Sequence, residues 1–154
     1  MIKPNSFLEI NTKNLIHNYK ALSKISYNSL CAATVKADAY GIGAIKTIEI
    51  LEKNQCKHFF VATLEEALLI RKKNKKCLLY ILNGMEFHNS LIFKKNNLIP
   101  IINTINELKL LIKNNIFKKS INYGLHIDTG LNRLGVSINE LKSFDTANLK
   151  LTIL

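Results

Sequence analysis

The sequence predicts an α/β fold built on a parallel sheet, and three observations carry that prediction. Strand and helix candidates alternate along nearly the whole chain. The strand candidates, "HFFVA" and "CLLYIL" among them, are continuous apolar runs, the pattern of strands buried on both faces. Successive strands recur about every 19 to 28 residues, a spacing that suits strand-helix units.

The elements follow in order. "SFLEI" (6–10) alternates as a strand does. Thr12 is placed to cap a helix with Leu15, Ile16, Tyr19, Leu22 and Ile25 on one face. Apolar strands are expected at 30–35, 58–62, 77–82, 98–102, 123–128 and 149–154, with helices at 43–54, 63–74, 86–95, 104–115 and 138–144. Three of these helices open with capping-box spacing: Thr63 with Glu66, Thr104 with Glu107, and Ser137 with Glu140. Five or six strands suffice for a flavodoxin-like or Rossmann sheet. A closed eight-stranded barrel needs roughly 250 residues, and the chain has 154. No linker, low-complexity segment or second domain is visible. The chain stops on "LKLTIL", an apolar run with no turn or cap after it. A missing C-terminal part is therefore expected.

Apolar residues make up 47% of the chain, which excludes a disordered polypeptide. No apolar run reaches the roughly 18 residues of a membrane span, and "MIKPNSFLEIN" lacks a signal-peptide core. A cytoplasmic location without membrane attachment is the expectation. Cys31, Cys56 and Cys77 are odd in number and lie in or beside apolar runs, so reduced core thiols are expected, with no disulfide framework and no metal site. The net charge of +11 raises nucleic acid as a partner. The charge has a simpler source, because Lys, Asn and Ile, with their AT-rich codons, are all over-used. The basic runs "RKKNKK" (71–76) and "KK" (94–95, 118–119) fall at or just past expected helix ends, where lysine favours the helix dipole and stays solvated. No aromatic residues interleave with them as base-stacking platforms, and nucleic acid is not expected as a partner.

Two stretches could carry chemistry. In "TVKADAYGIGA" (34–44), Lys36 stands where an apolar strand meets a glycine turn. Parallel α/β folds place ligands at that edge of the sheet. A lysine desolvated there can attack an aldehyde and form a Schiff base; a strand-end lysine paired with Asp38 or reaching solvent is the other reading. Gly41 and Gly43 precede a helix, so they either offer free N–H groups to a phosphate or form a plain tight turn. Tyr40 adds a hydroxyl at the same rim. The second stretch is "GLHIDTGLNRLGV" (124–136), which reaches the same edge. Arg133 is one of only two arginines, with Arg71, against twenty lysines. In such a chain an arginine implies a need for the planar bidentate fork, met by a ligand carboxylate or oxygen, or by a local salt bridge to Asp128. His126 and Asp128 share a face of the strand, and His126 is either a satisfied core residue or part of the site. His17, His58 and His88 look incidental. No nucleophile elbow, paired-carboxylate pattern or metal motif is present.

Together, "VKADAYGIGA" and "HIDTGLNRLGV" resemble the alanine racemase family, fold-type III pyridoxal-phosphate enzymes. "SFLEINTKNLIHNYKAL", "FFVATLEEALLIR" and "IPIINTINEL" are also similar to that family, so the resemblance covers essentially the whole chain. It implies an eight-stranded α/β barrel followed by a C-terminal β domain, working as a homodimer. Residues 1–154 would then be an incomplete N-terminal (β/α) barrel, about six of eight strands, without the β domain. The implied activity is interconversion of L-alanine and D-alanine with pyridoxal 5'-phosphate. Lys36 would hold that cofactor as a Schiff base and act as the base on D-alanine. Tyr40 would hydrogen-bond its phosphate. Arg133 would contact the substrate carboxylate and the cofactor's phenolic oxygen. The second base, a tyrosine, belongs to the partner subunit's C-terminal domain in the family. The chain is thus expected to need a partner, a second copy or a separate C-terminal polypeptide, and not to racemise alanine alone. Other expectations are a non-catalytic remnant or a racemase of another amino acid. His126 stands where many members carry a lysine that can be carbamylated to brace the arginine, and histidine cannot form that carbamate.

Overall fold

Five apolar segments lie side by side in the order in which the chain makes them: β1 (Ala33–Thr34), β2 (His58–Val61), β3 (Leu78–Ile81), β4 (Leu98–Ile102) and β5 (Gly124–Leu125). The structure is a computed structural model that describes residues 6–26, 28–114 and 121–144. All four pairings in this sheet are parallel, with Thr34 beside Phe60, Phe60 beside Tyr80, Tyr80 beside Ile99, and Ile101 beside Gly124. The helices are α1 (Thr12–Ile25), α3 (Ala44–Glu52), α4 (Leu64–Lys73), α5 (Ser90–Asn96), α6 (Ile105–Lys113) and α7 (Ile138–Lys142). Between β1 and α3 stands a short helical turn, α2 (Lys36–Tyr40). None of the described helices is long and apolar enough to cross a membrane.

Alternation along the strands sorts the core into two layers. Phe59, Val61, Leu79, Ile81, Leu98 and Ile102 join Ile48 and Leu51 of α3, Ala67 and Ile70 of α4, Phe93 of α5, and Leu108 and Leu111 of α6. The intervening residues Phe60, Leu78, Tyr80, Leu82, Ile99 and Ile101 form a second cluster to which no helix contributes. A doubly wound sheet reverses its strand order and takes helices on both faces. Here the order is sequential and the helices lie on one face, which is the winding of a barrel wall. The flavodoxin-like and Rossmann alternatives are therefore corrected. The strands are apolar on both sides because one side lies under helices and the other packs inward.

Local signals placed most elements. Thr63 and Glu66 form a reciprocal capping box at α4, and Ser137 and Glu140 form one at α7. At α6 the Thr104 hydroxyl accepts from the Glu107 amide, but the Glu107 carboxylate takes the N–H of Asn103 instead (2.7 Å). Two expectations at the N-terminus are corrected. Residues 6–10 join no sheet, and Phe7 and Leu8 are exposed. Asn11, not Thr12, caps α1, its side-chain oxygen accepting from the Asn14 N–H at 3.1 Å. The strand expected at 149–154 and the basic pair at 118–119 lie outside the described residues. A strand pair of its own, β6 (Ile127–Asp128) with β7 (Val136–Ser137), also runs parallel.

Arg71 overturns part of the solvated-run reading. Its neighbours Lys72 and Lys73 are exposed, but Arg71 is buried at the end of α4. One guanidinium nitrogen donates to the carbonyls of Asn74 (3.2 Å) and Cys77 (3.0 Å), and the other to that of Asn97 (3.1 Å). The fork thus ties the end of α4 to the starts of β3 and β4. Lysine, with a single ammonium, cannot span three carbonyls in that plane. Cys31, Cys56 and Cys77 are free thiols, and burial pushes the Cys77 thiol up to about 11. Arg71→Ala leaves the three carbonyls without their charged donor and is expected to lower unfolding free energy by about 2 to 4 kcal/mol in denaturant titration. Arg71→Lys is expected to recover less than half of that loss.

Candidate active site

Val35 directly follows β1: its N–H donates to Phe60 O at 2.8 Å and its side chain is buried against the helices. Lys36 follows, half-buried, at the C-terminal edge of the sheet. The backbone then does something rare for L residues. Ala37, Asp38 and Ala39 take φ/ψ near +50°/+47°, and Tyr40 has φ 56°. α2 is therefore a left-handed turn of four consecutive non-glycine residues. Left-handed helical geometry costs roughly 1–2 kcal/mol per L residue, so the surroundings must hold it.

The holding bonds are visible. Ala39 N–H donates to Val35 O (2.9 Å), Gly41 N–H to Ala37 O (3.0 Å), and Gly43 N–H to Asp38 O (2.9 Å). The Asp38 carboxylate accepts from the Ala44 N–H at 2.7 Å, opening α3. Ala37 N–H donates to the Glu66 carboxylate at 2.7 Å. Two of the sequence alternatives are decided here. Asp38 is spent on α3 and forms no ion pair with Lys36. The amides of Gly41, Ile42, Gly43 and Ala44 are all bonded within the loop, so the glycine pair is a tight turn and not a set of free phosphate donors. The turn brings Lys36 and Tyr40 together, with Lys36 Nζ 6.0 Å from the Tyr40 ring centroid. Tyr40 is 67% exposed, and its hydroxyl has no partner among the described residues.

The second stretch leaves the same edge. Tyr123 and Leu125 pack toward the helices, so alternation turns Gly124 and His126 to the inner face. His126 Nδ1 lies 2.9 Å from Asn103 Oδ1. The Asn103 side-chain nitrogen already donates to Leu82 O (2.7 Å) and Ile101 O (3.1 Å), which leaves Oδ1 as acceptor. His126 Nδ1 therefore carries the proton. Asn103 was missed from sequence; its only signal is a polar residue directly before the Thr104 cap. Gly135 closes over the ring: at φ +107°, a Cβ there would stand 2.9 Å from Asp128 N and 3.1 Å from His126 Cδ2.

Asp128 organises the loop between β6 and β7. Its Oδ1 accepts from the N–H groups of Gly130 (3.0 Å), Leu131 (2.9 Å) and Asn132 (3.2 Å), and its Oδ2 from Asn132 (3.1 Å). The Gly130 and Asn132 amides above all hold its carboxyl below the ordinary aspartate range. That carboxylate is not paired with Arg133, so the local salt bridge is corrected. Arg133 is exposed on this loop and has no hydrogen bond or ion pair among the described residues. Lys36 and Tyr40 thus stand side by side, His126 is braced by Asn103, and Arg133 stands on a loop at the same edge with its fork uncommitted among the described residues.

The family described as alanine racemase, N-terminal domain, matches residues 10–150. The chain belongs to that family. Its relatives include the alanine racemase of Rickettsia typhi, 37% identical over 137 residues, covering 88% of this chain and 34% of that protein. The alanine racemase of Rickettsia canadensis is 38% identical over the same length and 39% of it is covered. The chain thus spans little more than a third of the length of these relatives. Among solved structures, the alanine racemase of Bartonella henselae with covalently bound pyridoxal phosphate superposes with a TM-score of 0.77 at 29% identity, covering 87% of this chain and 40% of that one. The five-stranded sheet is accordingly part of an alanine racemase N-terminal barrel, as the sequence resemblance implied.

Asp128 makes this site acid-sensitive in a defined direction. Its folded-state pKa is depressed, so its stabilisation is present above the ordinary value of 3.8 and is lost as pH falls through the lower folded value. Amide exchange at Gly130, Leu131 and Asn132 is expected to accelerate as pH falls below that value, after correction for intrinsic rates. Asp128→Asn, with a side-chain NH2 facing backbone donors, is expected to produce the same acceleration at neutral pH.

Proposed function

We propose that this chain supplies the lysine side of an active site that interconverts L-alanine and D-alanine with pyridoxal 5'-phosphate. The single observation that carries the reading is the Lys36 amine. It stands at the sheet's C-terminal edge, with no ion pair or hydrogen bond among the described residues, beside a phenol with a free hydroxyl. The donor set fits the group: an amine for an aldehyde carbon, a phenol for a phosphate oxygen, and an uncommitted guanidinium for a carboxylate or phenolate. When bound, pyridoxal phosphate supplies a sink for the electron pair left as the amino acid's Cα loses its proton.

The chain's own residues would act around that sink. Lys36 holds the cofactor and then moves a proton at Cα on its own face. Tyr40 donates its hydroxyl to the phosphate. Arg133 receives the substrate carboxylate and the cofactor's phenolic oxygen. Inversion needs a second base on the opposite face of Cα, which in this reading comes from a second copy of the protein or from a C-terminal segment. In the same proposal, residues 1–154 contribute the first part of the barrel, and the enzyme works in the cytoplasm.

Two measurements check this reading. After incubation with pyridoxal phosphate and borohydride reduction, peptide mapping is expected to find the label on Lys36 in preference to the other nineteen lysines. Label spread over surface lysines overturns the assignment. Arg133→Lys keeps the charge but loses the fork, and in the enzyme reconstituted with its second base is expected to raise KM for alanine by about 10- to 100-fold, the equivalent of a charge-assisted hydrogen bond. An unchanged KM removes Arg133 from the site.

A further inference from the structure

We propose that Glu66 is the positioning residue that holds Lys36 in its working geometry; this rests on Lys36 being the cofactor lysine. The α4 capping box explains only half of what Glu66 does. Its Oε2 accepts from Ala62 N–H at 2.7 Å and Thr63 N–H at 3.4 Å, at the junction of β2 and α4. Its Oε1 crosses to the neighbouring unit and accepts from Ala37 N–H at 2.7 Å, 29 residues away in sequence. Ala37 directly follows Lys36 and is the first left-handed residue of α2. Among the described residues, Glu66 is the only side chain from outside residues 36–44 that bonds the backbone of this turn.

This reach is not a general property of helix caps in the chain. Glu107 and Glu140 occupy the same capping position at α6 and α7, and among the described residues their carboxylates bond only Asn103 and Ser137 of their own units. The chemistry also demands a carboxylate. Both oxygens face backbone donors, and a glutamine would turn its NH2 toward one of them. Removing the Ala37 bond releases the first left-handed residue toward the right-handed region, which swings the Lys36 Cα and moves its amine. A displacement on the order of 1 Å at a reacting group costs roughly a hundredfold in rate.

The test uses Glu66→Gln, Glu66→Asp and Thr63→Val in the full-length protein. Glu66→Asp keeps the charge at the α4 N-terminus but is one methylene too short for Ala37. Thr63→Val removes the hydroxyl that accepts from the Glu66 N–H at 3.3 Å and leaves the Ala37 bond in place. In both Glu66 variants, amide exchange across residues 37–41 is expected to rise by about tenfold or more. The rate of reductive labelling at Lys36 by pyridoxal phosphate is expected to fall about tenfold, and kcat for alanine to fall with KM changed less than about threefold. Thr63→Val is expected to lower stability without moving these three readouts. Unchanged exchange at 37–41 in the Glu66 variants overturns the proposal, as does a Thr63→Val variant that reproduces their losses. Exchange needs no cofactor, so it decides the role of Glu66 in the turn even where wild-type labelling misses Lys36; that result instead overturns the functional reading.

Discussion

A left-handed backbone at four successive L residues is the constraint on which this site depends. Ala37 to Tyr40 could relax to a right-handed turn and gain free energy locally. They do not, because the turn is bonded at both ends. Ala39 closes it onto Val35, Asp38 ties it to α3, and Glu66 pins its first amide. Reversing the hand of the turn would send Tyr40 away from Lys36 and break the start of α3. The same geometry consumes every amide from Gly41 to Ala44. The loop therefore sets an amine and a phenol side by side and leaves no free backbone amide between Gly41 and Ala44.

The two arginines show how far a compositional argument reaches. Their rarity among twenty lysines does mark places where a planar fork is needed. At Arg71 that need is architectural, since three carbonyls from separate segments converge on one buried guanidinium. At Arg133 nothing in the described fold takes the fork, and the nearest acid in sequence, Asp128, is saturated by backbone amides. Scarcity finds the residues that lysine cannot replace. Burial and partners then separate the one that holds the protein together from the one whose fork no described group engages.

A similar division runs through the polar residues at the sheet edge. Asn103 and Asp128 look like equivalent loop residues in the sequence, yet each acts on a different object. Asn103 fixes the tautomer of His126 through two carbonyl bonds of its own. Asp128 folds the loop that carries Arg133. Neither reaches the Lys36 amine. The polar groups at this edge are thus mostly spent on positioning the backbone, while the Lys36 amine, the Tyr40 hydroxyl and the Arg133 guanidinium have no hydrogen bond among the described residues.

The sequence by itself determined the alternation of elements, the parallel character of the sheet, most helix starts, and Lys36, Tyr40 and Arg133 as the residues to examine. Those features are local: apolar periodicity, the Thr63–Glu66 and Ser137–Glu140 boxes, and two motifs each contained in little more than ten residues. Local pattern also misled where only short-range signals were available, as in the alternating residues 6–10 and the cap at Thr12. Tertiary structure alone decided the one-sided winding of the helices, the hand of the turn at Ala37, the burial of Arg71 and the partner of His126. Each of these rests on bonds between distant residues, separated by 29 positions for Glu66 and Ala37, 26 for Arg71 and Asn97, and 23 for Asn103 and His126. A carboxylate three residues into a helix satisfies the same local rule whether it bonds its own cap or crosses to the neighbouring strand. Only the register of the sheet, which sets β1 beside β2, brings the Ala37 amide within reach of Glu66 and so decides which it does.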